Sequence, residues 1–477
     1  MKKTALVLAL GSAFAGAALA QSSVTLYGIA DVGVLRAPVA DANTGSPNAT
    51  GTFTPATGVT AGKVNQTVMQ SGQQSGSRLG FRGTEDLGNG LSAVFTLEQR
   101  VEFDTGGSSS SGQNGAATVG VGGRQFERQI FAGLSSKTAG TLTFGRQYTP
   151  QFDIQVRTDA LAYGMAGSFT SGAGFGMMAS RASNAIKYVS PNWGGFQGRL
   201  LYSFGGSGLA AAGSGTNEIA PNTTSNTATN TGNTVDKAAD KALGLGFSWE
   251  NKQILAGYTY TKSYAGAGTG NPALISSTFT ATSVNPVYVN NVAVGSVNGY
   301  GPAAGTVSAL NPAYSSGDGF EKWHTFNFSY DFNVAKVFLN YVNVKNSISS
   351  NFITGTITGN ATVTGAGNNG INNSWTARGD RNIINAAVAV PFGANKVTVS
   401  YSKFNDKGFL DQDASLIGLA YEYSLSKRTN LYAQAARMAN KNSAVWGFGG
   451  AGYGATNLST VGGQSGVAFG VGMRHAF

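Results

Sequence analysis

Strict period-2 patterning, a low share of charge and connections of two alternating lengths predict an all-β chain. The architecture they predict is a 16-stranded antiparallel transmembrane β-barrel with short periplasmic turns and long extracellular loops. Charged residues make up 11% of the 477 residues, against roughly 25% in soluble domains. Glycine, at 69 positions, has about twice its usual share. A mean hydropathy of −0.06 conceals such a barrel, because half of every strand faces water. No helical pattern accompanies the apolar strand faces, so they fit a wall turned outward to hydrocarbon.

The chain opens with Lys2 and Lys3, an apolar run that begins at Ala5 to Leu10, and Ala18-Leu19-Ala20. That is the charged, apolar and small-x-small order of a secretory signal. Residues 1–20 are predicted as a signal peptide and 21–477 as a single barrel domain. The apolar run is too short for a membrane anchor, and no later segment approaches about 20 continuous apolar residues. Cysteine is absent, so no disulfide is possible although the chain is exported.

Strands are predicted at about 22–36, 71–84, 91–103, 123–135, 141–148, 182–190, 196–204 and 241–249. The second half follows at about 253–263, 321–332, 335–346, 380–391, 396–404, 412–425, 429–438 and 466–477. In 321–332, His324, Phe326, Phe328, Tyr330 and Phe332 share a face opposite Thr325, Asn327, Ser329 and Asp331. In the last strand Val467, Phe469, Val471 and Met473 should face lipid or a neighbouring subunit, and Arg474 the lumen. Tight turns separate alternate pairs, as at Glu85–Gly90, where glycine and asparagine supply positive φ. Long Gly-, Ser-, Thr- and Asn-rich stretches cover about 37–70, 105–122, 149–180, 206–238, 264–320, 348–378 and 439–465. They hold too little apolar surface for cores of their own. An even strand count puts both termini beside the short turns.

Machinery for catalysis is close to absent. The two histidines, His324 and His475, lie on apolar-patterned faces, and no metalloprotease, phosphate-loop or nucleophile-elbow motif occurs. The net charge is +10 without a dense Lys/Arg patch, which argues against nucleic acid as a partner. Arginine is the informative charge. Arg78 and Arg82 share a face away from Leu79 and Phe81, Arg124 and Arg128 share another, and Arg146 and Arg181 flank the 149–180 stretch. An arginine facing lipid at mid-depth costs about 2–4 kcal/mol, so these are predicted to face the lumen. Glu98, Glu102 and Glu127 are available to pair with them.

Several segments together carry a family resemblance: VTLYGIAD at 24–31, SRLGFRGTEDLGNGLSAVFTLE at 77–98, RQIFAGLSS at 128–136, TLTFGRQYTP at 141–150, and the terminal Phe477. They resemble the Gram-negative general porins, above all the trimeric porins of β-proteobacteria and neisseriae. The resemblance implies a bacterial outer-membrane homotrimer of 16-stranded barrels, with a third long loop, here 149–180, folded inward to narrow the lumen. It implies a constriction of wall arginines Arg78, Arg82, Arg128 and Arg181 against loop acids Asp153 and Asp159. Where related porins carry a further loop acid this chain has Tyr163, and it adds Arg157. That tilts the implied water-filled passive pore toward mild anion preference. Implied partners are outer-membrane lipid and lipopolysaccharide, small polar solutes and anions, and the outer-membrane assembly machinery; no cofactor is implied. Phe477 resembles the terminal aromatic signal that this machinery reads, and it also fits the interfacial aromatic girdle. Two rivals remain at this point: a substrate-selective porin for an organic acid, sugar or phosphate, and a β-rich surface adhesin with no pore.

Overall fold

A computed structural model describes residues 23–40, 63–107, 126–170, 176–204, 241–264, 320–346, 380–407, 413–441 and 463–477. Short pieces at 278–279, 286–289, 292–296, 305–306, 444 and 446–448 complete it. The signal peptide expected at 1–20 and Arg124 lie outside the described residues.

The wall is built from β1 (Ser23–Ala40), β2 (Lys63–Ser71), β3 (Arg78–Gly88), β4 (Leu91–Arg100), β5 (Gln129–Ser136) and β6 (Gly140–Tyr148). Helix α1 (Pro150–Gln155) follows, then β7 (Arg181–Val189), β8 (Phe196–Ser203), β9 (Ala242–Glu250) and β10 (Ile254–Tyr264). The connection after β10 carries β11 (Thr278–Phe279), β12 (Pro286–Val289), β13 (Val292–Ser296) and β14 (Gly305–Thr306), which pair only among themselves. The wall resumes with β15 (Phe320–Asp331), β16 (Lys336–Asn346), β17 (Arg381–Phe392), β18 (Asn395–Asp406), β19 (Ala414–Ser424), β20 (Thr429–Asn440) and β21 (Gly466–Ala476).

Neighbours in sequence are antiparallel neighbours in space, and β21 closes on β1 from Ile29↔Ala476 to Arg36↔Phe469. The wall has sixteen positions because β2 and β3 share one. The first half of β1 pairs with β3 (Ser23↔Thr84 to Ile29↔Arg78) and the second half with β2 (Val32↔Ser71 to Ala40↔Lys63). This corrects the single strand expected over 71–84. At Gly72, with φ 74°, the chain leaves the ladder. The buried Asp31 holds the excursion inside: its Oδ2 accepts from the Gln74 and Ser75 amides at 2.8 and 2.6 Å. β1 and β2 also reach further into the first long connection than the pattern suggested. Above the hydrocarbon band a strand such as Asn65-Gln66-Thr67 needs no apolar face.

The start of β1 at Ser23, the C-terminal Phe477 and the tight turns gather at one end, the periplasmic one. Gly88, Asn89 and Gly90 there have φ values of 85°, 53° and 75°, the left-handed region such turns demand. Outward-facing Phe144, Phe196, Phe247, Phe326, Phe469 and Val471 are each more than half exposed, as a lipid-facing surface requires. Arg474 points the other way, its Nε donating to Ser75 Oγ at 2.8 Å inside the barrel.

Candidate functional site

The site begins where β6 ends. A register shift between Gly145 and Gln147, with Gly145 at φ 128°, breaks the alternation of β6. Such bulges re-aim side chains beside functional sites. Here Tyr148 reaches inward to Glu98 and Arg128. Arg128 precedes β5, outside its regular alternation, and turns into the barrel. Its Nε donates to Glu98 Oε1 at 2.7 Å and its Nη2 to the Tyr148 hydroxyl at 2.8 Å. Tyr148 donates in turn to Glu98 Oε1 at 3.2 Å, and Tyr27 donates to Oε2 at 3.0 Å. Arg78 Nη1 lies 3.8 Å from the same Oε2. Arg181 stands over the Tyr148 ring at 5.3 Å. Arg100 pairs with Glu127 at 2.6 Å and Glu102 at 3.3 Å. Arg146 donates to the Glu127 carbonyl and to Ser183 Oγ. Arg78, Arg100 and Arg128 thus pair with three glutamates on one stretch of inner wall, and Arg146 and Arg181 stand beside them.

The 149–180 loop crosses the lumen from there. Thr149 caps α1 by accepting from the Phe152 amide at 3.2 Å, and Pro150 starts the helix. Glycines in β9 and β10 make room for it: a Cβ at Gly257 would come within 2.5 Å of Ile154 Cγ2. Phe152 stacks on Tyr148 at 4.2 Å and meets Tyr163 edge-on at 5.1 Å, which ties the loop to the arginine wall. Ala162 and Tyr163 hold φ of 59° and 67°, a strained stretch that the surroundings fix in place. Further along, Thr158 Oγ1 donates to Asn340 Oδ1 at 2.7 Å and the Ala166 amide to Gln434 Oε1 at 2.7 Å. The loop is therefore bound to both sides of the lumen.

The model of the Gram-negative porin family matches residues 4–352 and 299–443. The chain belongs to that family. An outer membrane porin protein of Bordetella pertussis is 30% identical over 485 residues, 100% of both chains. Outer membrane porin protein 32 of Delftia acidovorans is 34% identical over 210 residues, 43% of this chain and 50% of that one. Among solved structures, the anion-selective porin from Comamonas acidovorans shares the fold, with a TM-score of 0.58 and 23% identity over 96% of this chain and 100% of that one. This porin is thus an outer-membrane channel, and neither an adhesin nor an enzyme fits the family or the barrel.

In the porin, Arg78, Arg128 and Arg181 come together around Tyr148 and Glu98. Arg82 sits further toward the periplasmic end, exposed, with its guanidinium 5.3 Å from the Tyr27 ring. The two loop acids do not face this cluster directly. Asp153 pairs with Lys187 and lies 3.7 Å from Arg199 Nε. Asp159 is buried in the loop itself, accepting from the Leu161 amide at 3.0 Å and from the Ser168 and Thr170 hydroxyls. Burial pushes its carboxyl above the ordinary carboxylate value, and the donors restrain the rise. Arg157 pairs with Glu250. Lys187, Arg199, Arg100 and Tyr148 were missed in the sequence. Lys187 carried a usable signal, since Ile186 and Tyr188 flank it with apolar side chains. Among the described residues no group of three or more histidine or acidic side chains is placed to hold a metal ion.

Proposed function

We propose that the pore is a general-diffusion channel with mild preference for anions, narrowed between the arginine wall and the 149–180 loop. The charge count carries the reading. Arg78, Arg100, Arg128, Arg146 and Arg181 outnumber Glu98, Glu102 and Glu127 on the wall. Beside it, on β7 and β8, Lys187 and Arg199 outnumber Asp153, and Asp159 is withdrawn into the loop. A low-dielectric lumen lined with excess positive charge concentrates anions and repels cations. Arg82 extends the basic track toward the periplasmic mouth.

The working unit on this reading is a homotrimer, exported by the 1–20 segment, surrounded by outer-membrane lipid and lipopolysaccharide. Phe477 is its assembly signal as well as its closing residue. Planar-bilayer recording of the purified protein in a salt gradient tests the reading. A reversal potential of the anion-selective sign is expected; the cation-selective sign would overturn the preference, and absence of conductance the channel itself.

A further inference from the structure

The inner wall opposite the arginines is not polar throughout. At the loop end of β15 to β21 and β1, inward positions carry Trp323, Val342, Val344, Ile383, Phe404, Leu416 and Met438, together with Leu35. Each is 2% exposed or less. A water-filled lumen has no use for such a face, because apolar surface against water is unfavourable. These side chains are covered from within. Phe169 and Met178 of the 149–180 loop and Trp446 and Phe448 of the last loop join them in one buried cluster. Trp446 packs on Phe404 with ring centroids 4.2 Å apart. Trp446 is held there by its backbone, since Asn440 Nδ2 donates to the Trp446 carbonyl at 2.8 Å and also to the Gln464 carbonyl at 2.9 Å. One edge of the cluster is capped by charge: Arg381 lies 4.9 Å from the Trp323 ring and pairs with Glu321 at 2.8 Å.

We propose that Trp446 and Phe448 form a second size-determining element of the pore. With Phe169 and Met178 they close the lumen over β15 to β21 at its extracellular end. Solutes are left the route along Arg78, Arg128 and Arg181. The inference rests on the porin reading and adds that the constriction has two walls of opposite chemistry, one cationic and one dry. Small anions pass the cationic side, and the dry side sets the width available to them.

Single-channel recording of the Trp446→Ala, Phe448→Ala double variant is the first arm. Opening a second part of the lumen should raise conductance roughly 1.5- to 2-fold. Unchanged conductance in a barrel of normal heat-modifiable mobility would overturn the proposal. The second arm does not require the core to be emptied. The chain has no native cysteine, so Trp446→Cys and, as an exposed reference, Lys441→Cys can each be tested with a charged thiol reagent. The thiol introduced at 446 should react roughly 100-fold more slowly, as a buried thiol does. Equal rates would overturn the proposal. A wild-type protein that conducts nothing would instead sink the porin reading beneath it.

Discussion

Arg128 and Glu98 form an ion pair 2.7 Å long whose side chains are only 3% and 4% exposed. Burying two charges is tolerable only with close geometry and further hydrogen bonds, which Tyr148 and Tyr27 supply. Removing one partner strands the other, at a cost of about 3–5 kcal/mol. Arg128→Ala should therefore lower the thermal stability of the barrel, read as the temperature at which heat-modifiable mobility is lost. The double variant Arg128→Gln, Glu98→Gln should recover most of it. Equal melting of the wild type and Arg128→Ala would show that the pair carries no such strain.

Selectivity should respond to different arginines. The Arg128 charge is largely matched by Glu98 at 2.7 Å, whereas Arg78 stands off at 3.8 Å from the same carboxylate and Arg181 lies over the Tyr148 ring. Arg78→Ala with Arg181→Ala should shift the reversal potential toward cations while leaving thermal stability closer to wild type than Arg128→Ala does. If Arg128→Ala alone produced the larger shift in reversal potential, the assignment of the less compensated field to Arg78 and Arg181 would fail.

Gly418 on β19 is the seat of the loop tip. A Cβ there would lie 2.7 Å from the Gly167 Cα and 2.5 Å from Leu161 Cδ1. The leucine can rotate away, but the backbone of residue 167 must move. Overpacking of this kind costs about 1–3 kcal/mol, enough to unseat a loop without unfolding a barrel. Gly418→Val should push the loop toward the arginine wall and lower single-channel conductance. A conductance equal to wild type would mean that the loop does not rest on β19 in the open channel.

All sixteen wall positions were legible, because period 2 and tight turns are written locally. The break in the second position was not. Gln73-Gln74-Ser75-Gly76-Ser77 has no apolar alternation to interrupt, and its captor Asp31 lies more than 40 residues away. Of the arginines, Arg78, Arg128 and Arg181 were named from the family motifs, whereas Arg100 was not, and Arg128 stands before β5, where alternation has no hold on it. The partner of Asp153 was not legible, because it depends on where α1 lands, and that is set by Gly244, Gly246 and Gly257 on distant strands. The dry half of the lumen escaped for a further reason. In β17, Ile383 and Ile384 put apolar side chains on both faces, and alternation cannot tell a face packed inside a barrel from one turned to lipid.

Asp159 gives the loop a pH dependence. Its carboxyl is raised above the ordinary 3.8 by burial, so ionisation favours the undocked loop, where water solvates the charge. Docking is therefore strongest below the ordinary value and weakens as pH rises through the raised one. Voltage-induced closure should become more frequent as pH is raised from below 3.8 in wild type and stay level in Asp159→Asn, which carries no charge at any pH. The same slope in both proteins would assign the dependence to another group.

Phe477 can be separated into its two roles. Its amide and carbonyl exchange hydrogen bonds with Gly28, at 3.1 and 3.0 Å, and its ring fills the place of a Gly28 Cβ, which would lie 2.3 Å from Cζ. Gly28→Val should thus impair closure of β21 on β1 wherever folding occurs, in cells or in detergent. Phe477→Ala keeps both backbone bonds and loses only the ring. In detergent, where no assembly machinery is present, it should refold with a yield near wild type; in cells its outer-membrane level should fall several-fold. Equal losses in both settings would make the ring a structural part of the seam, and no loss in either would remove Phe477 from assembly altogether.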